Sequence, residues 1–212
     1  MVPLLVMFLD IKLVVPTSAV LGILSGFLLI STFHTWKWLK KKDILLLAIG
    51  GIIGSILGAY ALASVKSDII KSILGIFVAA YALKMLFWNT ENTKKIKDYY
   101  GIIAGFFSGC LGGLFSTGGP PAIIYLKAKM TEKRAFRSTL ILYLLITNTW
   151  QCAIYCYSSM ISRDTLKFVL LLMPSFIIGN VLGSFLHIKI NEILFSKIIA
   201  LVLLATGISL LF

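Results

Sequence analysis

Residues 108–121 read Ser108-Gly-Cys-Leu-Gly-Gly-Leu-Phe-Ser-Thr-Gly-Gly-Pro-Pro121, within a stretch that is otherwise mostly apolar from Tyr99 to Leu126. Glycine costs a helix interior about 1 kcal/mol per residue and proline about 3, so this run cannot continue a regular helix. Gly105 and Gly109 extend the weakness upstream. In water such a break would be an ordinary loop. In hydrocarbon it leaves peptide groups unpaired and is tolerated only where protein or a watery cavity satisfies them. The medium around the run therefore decides its meaning.

The rest of the chain points to hydrocarbon. Of 212 residues, 59% are apolar and 13% charged, against roughly a quarter charged in soluble domains. Apolar runs recur at 12–33, 43–64, 68–88, 135–159, 165–187 and 191–212, each long enough as a helix to cross ~30 Å of hydrocarbon. The expected fold is an all-α integral membrane protein, a polytopic helical bundle in a lipid bilayer. The net charge of +12 falls in short bunches between the runs: Lys37, Lys40, Lys41 and Lys42 form one, and Lys127, Lys129, Lys133, Arg134 and Arg137 another. Bunches of this kind orient a chain and touch anionic lipid. A nucleic-acid partner is not expected, because no basic soluble domain carries the charge. Met1 to Leu9 lacks the basic start and small-residue cleavage site of a signal peptide. Cys110, Cys152 and Cys156 lie in apolar runs without metal-ligand spacing and read as packing residues, so no metal or cofactor is expected.

The sequence also matches itself. An offset of 121 sets Lys12 on Lys133, Thr17 and Ser18 on Ser138 and Thr139, and Lys42-Asp43 on Arg163-Asp164. After a four-residue slip, an offset of 125 sets Gly54 on Gly179, Gly58 on Gly183, and Leu86-Phe87 on Leu211-Phe212. Duplicated halves recur among transporters. The expected division is residues 1–88 as a first repeat, 89–98 as a linker loop, and 99–212 as a second repeat carrying the Gly/Pro run. The first half lacks a copy of residues 99–121, so either the chain begins short or one and a half repeats suffice. If 99–127 is a re-entrant hairpin, one side of the membrane collects 13 of 18 loop Lys and Arg; if it crosses once, the split is nine and nine. The positive-inside rule favours the broken, re-entrant hairpin, which gives the halves opposite orientation as an inverted repeat.

A helix beginning at Pro120 or Pro121 would start inside the membrane, with the hydroxyls of Ser116 and Thr117 just upstream and its positive dipole end at the break. That arrangement suits an anion, and the glycines around it allow a ligand to approach bare backbone. All eight carboxylates lie in or beside loops, so no acid deep in a span serves a cation. The alternative for the run is a packing kink between close helices. Asn148, with Gln151 one turn later, either lines a cavity or bonds a neighbouring helix, and Asn180 reads as packing. Thr17 and Ser18, and Ser138 and Thr139, either line the cavity or bond back to their own helices. Gly22 and Gly26, Gly54 and Gly58, Gly105 and Gly109, and Gly179 and Gly183 read as small-residue faces for helix packing. His34 and His187 read as interfacial anchors at span ends.

The run from Gly109 to Leu126, the later Arg137-Ser138-Thr139 and the duplicated halves resemble the TauE/SafE sulfite exporter family over essentially the whole chain. The resemblance implies a multi-pass permease of the inner cell membrane for sulfite, sulfonates, thiosulfate and related sulfur anions. It also implies Gly112, Gly113, Gly118, Gly119, Pro120 and Pro121 as site residues. A first copy of the motif is missing, unless Pro3 is the proline that closes it. Two other classes compete: a membrane-embedded enzyme, against which stands the lack of a P-loop, metal cluster or nucleophile pair, and a non-transporting assembly subunit. The expected partners are a small anionic substrate and lipid. Homo-oligomerisation, the anion, the direction of transport and the coupling ion stay open.

Overall fold

The computed structural model describes residues 2–33, 38–87, 97–186 and 192–210. Through them run α1 (Val2–Val6), α2 (Ile11–Phe33), α3 (Lys41–Ser64), α4 (Ser67–Phe87), α5 (Tyr99–Phe115), α6 (Gly119–Lys129), α7 (Lys133–Tyr157), α8 (Arg163–Leu186) and α9 (Glu192–Ser209). The loop at 88–96, His34, His187 and the surroundings of Asn180 and Gly183 lie outside the described residues.

Each of the six expected spans coincides with one long helix, α2, α3, α4, α7, α8 or α9. Among the described residues, α2, α3 and α7 are long and apolar enough to cross a membrane, and α5 and the end of α9 are shorter apolar helices. Ile49, Ile53, Leu57 and Tyr60 of α3 and Leu166, Leu170 and Leu171 of α8 are exposed. Water rarely tolerates such continuous apolar faces, whereas lipid solvates them. A short helix followed by three long ones occurs twice, as α1 to α4 and as α6 to α9, with α5 between the two series. Helices of equal rank meet, α2 on α7 and α4 on α9.

The closest packing joins α3 to α5. A Cβ on Gly50, Gly54 or Gly58 would strike the carbonyls of Ile102, Phe106 and Cys110, and one on Gly105 or Gly109 those of Leu47 and Gly51. These glycines are packing faces, as their spacing suggested. Gly22 and Gly26 serve α2 in the same way, against Asn148 and Leu145 of α7. Gly179 departs from the pattern, since none of the described residues lies within 4 Å of where its Cβ would be.

Two apolar clusters flank the break between α5 and α6. One joins Ile11, Leu62, Leu74, Phe115 and Tyr155; the other joins Leu47, Ala122, Tyr125, Leu126 and Tyr143. Phe115 belongs to the first and Ala122 to the second, so both sides of the break are anchored while the residues between them are left at the seam.

Candidate functional site

The break itself spans only residues 116–118. Helix α5 ends on Ser116, whose φ of 52° is left-handed and whose N–H reaches Gly112 O at 2.7 Å. The turn sends α6 back along α5. Ser108 Oγ donates to Gly118 O near the turn, Gly101 lies against the Tyr125 ring further along, and Lys129 meets Asp98 at the open end. Helix α7 braces this pair with two phenols: the Tyr143 hydroxyl donates to Ser108 Oγ at 2.8 Å, and that of Tyr155 donates to Gly113 O at 2.7 Å. Reading the sequence missed Ser108, Tyr143 and Tyr155. The signal was present in Thr139, Tyr143, Thr147, Gln151 and Tyr155, polar or amphipathic residues recurring every fourth position along an apolar helix, all of them buried.

The start of α6 opens on a cavity of about 380 Å³ among α1, α2, α4, α7, α8 and α9. Ser18, Ser116, Thr117, Pro120 and Asn148 line it, five of the residues expected from sequence, together with Tyr81 and apolar side chains such as Leu21 and Phe77. Among the described residues lining it there is no Lys, Arg, His, Asp or Glu. Among the described residues, the shielded Ser18 Oγ and Thr117 Oγ1 find no hydrogen-bond partner. A buried hydroxyl left unpaired costs ~1–3 kcal/mol, so these two gain from whatever polar group the cavity holds. Gly22 makes room for the Asn148 amide, whose Nδ2 lies 2.6 Å from where a Cβ at 22 would be.

The first turn of α6 is a weaker anion trap than its position implies. Four backbone nitrogens at a helix start lack an intrahelical partner, here those of residues 118–121, and the N-cap, Gly118, has no side chain to bond them. Two of the four belong to Pro120 and Pro121 and carry no hydrogen. Only Gly118 and Gly119 keep backbone donors there.

The other expected site residues sit elsewhere. Gly112 and Gly113 are packed against the Gln151 amide and the α3 backbone. Gly118 rests on Ser108, Gly119 has open space beside Ile123, and Pro121 follows in the same turn. The Thr17 hydroxyl donates to Leu13 O at 2.7 Å, the back-bonded alternative, so only its neighbour Ser18 serves the cavity. Ser138 and Thr139 are buried near the start of α7 and do not line the cavity; Thr139 Oγ1 accepts the Lys40 N–H at 3.4 Å.

The family model described as Sulfite exporter TauE/SafE matches residues 1–210. The chain belongs to the TauE/SafE family. No curated protein and no solved structure matches it. TauE/SafE is a family of membrane transporters, and with the apolar helices the match makes this a multi-pass membrane protein.

In this TauE/SafE protein the far end of α6 carries a second cluster. Lys129 Nζ lies 2.6 Å from Asp43 Oδ1, at the first turn of α3, and also pairs with Asp98, just before α5. Asp98 in turn holds Lys42 at 2.5 Å, and the Tyr125 hydroxyl donates to Asp43 at 3.1 Å. Hydrogen bonds from Lys129 first, and then Lys42, hold the Asp98 carboxyl down at about 2. Burial works against the charge on Lys129, but hydrogen bonds with Asp43, Asp98 and Tyr125 outweigh it and raise its pKa. A carboxyl lowered on folding stabilises the fold above its ordinary range and stops doing so as pH falls through its folded value. The Asp98 pairs therefore persist throughout the neutral range.

Proposed function

We propose that this protein is a permease of the inner cell membrane for small sulfur-containing anions such as sulfite, sulfonates or thiosulfate, working by alternating access. The observation that carries the reading is the cavity at the start of α6, where, among the described residues, two shielded hydroxyls without a partner, the Asn148 amide and a helix N-terminus meet with no carboxylate in the lining. The helix N-terminus favours negative charge, and the hydroxyls and the amide of that lining can each donate to it. An anion accepting hydrogen bonds from Ser18, Thr117 and Asn148 gains ~1.5–3 kcal/mol from each. Family membership supports sulfur as the substrate element.

The architecture we infer is two inverted repeats with α5 and α6 as a re-entrant hairpin. It is supported by the doubled order of one short and three long helices, and by the contact of Lys129 with Asp98, which brings the two ends of the pair together. Inverted repeats around a broken helix put a site near the bilayer midplane. Thermal unfolding in detergent with sulfite, ethanesulfonate or thiosulfate, set against choline and Na⁺, tests the reading, and flux of labelled anion into liposomes extends it. Stabilisation by the anions and uptake that depends on Asn148 are expected. Stabilisation by the cations alone, or flux indifferent to Asn148→Leu, would sink it.

A further inference from the structure

We propose that Lys129 is a positioning residue for the anion site: its ion pairs lock α6 onto the α3–α5 pair, so that the start of α6 stays fixed while the facing α2 and α4 move to open the cavity. The inference rests on the permease reading above.

Three observations carry it. First, α3 and α5 touch backbone to backbone along Gly50, Gly54, Gly58, Gly105 and Gly109, leaving no room to slide or rotate without collision, so they behave as one body. Second, α6 is only 11 residues, or about 16 Å, long, and both of its ends are fastened to that body. At its start, Ser108 of α5 holds the Gly118 carbonyl and is itself held by Tyr143. At its end, Lys129 bridges Asp43 of α3 and Asp98 before α5, while Tyr125 adds a bond to Asp43 across the space Gly101 leaves for its ring. Third, the lock is shielded: Asp43 is 7% exposed, so its pairing with Lys129 is poorly screened by salt. With its start pinned at Gly118, a helix this short turns as a rod about that point when its far end is freed, and the turn tilts Pro120 and the adjoining Thr117 in the cavity wall.

Across the cavity the fastening is apolar, a cluster that joins Ile11 of α2 and Leu74 of α4 to Leu62 and Phe115 of the locked body, with no ion pair among the described residues of that cluster. Helix α2 packs chiefly on α7 and α8, and α4 on α9. Movement between the locked body and these helices changes access without breaking the Lys129 pairs.

Paired substitutions Asp43→Cys and Lys129→Cys, in a background with Cys110, Cys152 and Cys156 replaced, allow a short bifunctional thiol reagent to bridge the two positions. Thiosulfate flux into liposomes is then measured before bridging, after it, and after cleaving the bridge. We expect the unbridged protein to show a KM raised about tenfold, equivalent to one factor of ten in affinity, and the bridged protein to return to within about twofold of the parent. Lys129→Met should raise KM similarly and lower Tm, because the shielded Asp43 carboxylate loses its cation; Lys129→Arg should restore both, and the exchanged pair Asp43→Lys with Lys129→Asp should restore KM in part. Flux that stops on bridging and resumes on cleavage would make the contact a gate that must open, and an unchanged KM in Lys129→Met would remove any positioning role. If the parent itself carries no sulfur anion, the permease reading fails separately. The lock is then read from Thr117→Cys, by the ratio of its reaction rates with a sulfonate-bearing and a neutral thiol reagent. Lys129→Met should lower that ratio about fivefold; an unchanged ratio overturns the lock.

Discussion

At Ser116 the chain adopts a φ of 52°, which glycine takes without penalty and an L-residue holds at a cost of about 1–2 kcal/mol. Selection of serine over glycine here leaves a hydroxyl on the cavity wall in exchange for that strain. Ser116→Gly should therefore stabilise the protein by ~0.5–1 kcal/mol in thermal unfolding, while Ser116→Val should destabilise it by ~1–3 kcal/mol. If glycine lowers the melting temperature, the left-handed turn is not where the strain lies. Asn148 offers a second test, because Gly22 is what leaves its amide room. Gly22→Ala pushes on that amide from a neighbouring helix, so it should weaken anion binding about tenfold, roughly the loss of one hydrogen bond to a charged group. An alanine that left affinity unchanged would take Asn148 out of the site. Asn148 and Ser18 were legible from sequence as polar groups in hydrocarbon. Which of Thr17 and Ser18 faces the cavity was not, since a single residue of helical rotation separates a lining hydroxyl from one bonded to Leu13 O.

Among the elements, α3 and α8 carry glycines at matching offsets, yet only α3 uses them in a contact the structure describes. Gly54 meets the backbone of α5, whereas Gly179 meets none of the described residues within 4 Å. Gly54→Leu should cost more than ~3 kcal/mol or prevent assembly, and Gly179→Leu should fall within about 0.5 kcal/mol of the parent. Size-exclusion profiles and melting temperatures in detergent distinguish the two; equal damage at both positions would mean that the face of α8 around Gly179 is also packed against something. Apolar runs of this length legibly specify helices, because in hydrocarbon the backbone has few other ways to satisfy itself. Their partners are harder to read, because the same small-residue spacing serves whichever neighbour is available. Ser138 and Thr139 illustrate the limit: they align with Thr17 and Ser18, but lie near Lys40 away from the cavity, so equal place in the sequence does not give equal surroundings. The polar face of α7 is the converse case, since the four-residue spacing that carries the braces Tyr143 and Tyr155 is written in the amino-acid order itself.

For the molecule as a whole, charge and contact bear on the same question of topology. A re-entrant α5–α6 pair collects 13 of 18 loop Lys and Arg on one side, which the positive-inside rule assigns to the cytoplasm. Independently, Lys129 pairs with Asp98 and Asp43, and Asp98 with Lys42, so the starts of α3 and α5 and the end of α6 gather at one end of the bundle. A single crossing would place Asp98 and Lys129 some 30 Å apart on opposite sides of the hydrocarbon, far beyond reach of an ion pair. Lys97 and Thr131 flank the pair and are exposed, while Lys66 joins α3 to α4 at the opposite end and is exposed too. Single cysteines at these three positions, in a background without Cys110, Cys152 and Cys156, can be labelled with an impermeant thiol reagent. In right-side-out vesicles Lys66→Cys should react at once, and Lys97→Cys and Thr131→Cys only after the membrane is opened. Reaction of Thr131→Cys from outside while Lys97→Cys stays protected would mean that the segment crosses the membrane. The inverted arrangement would then fall, and with it the half-membrane helix start on which the proposed anion site depends.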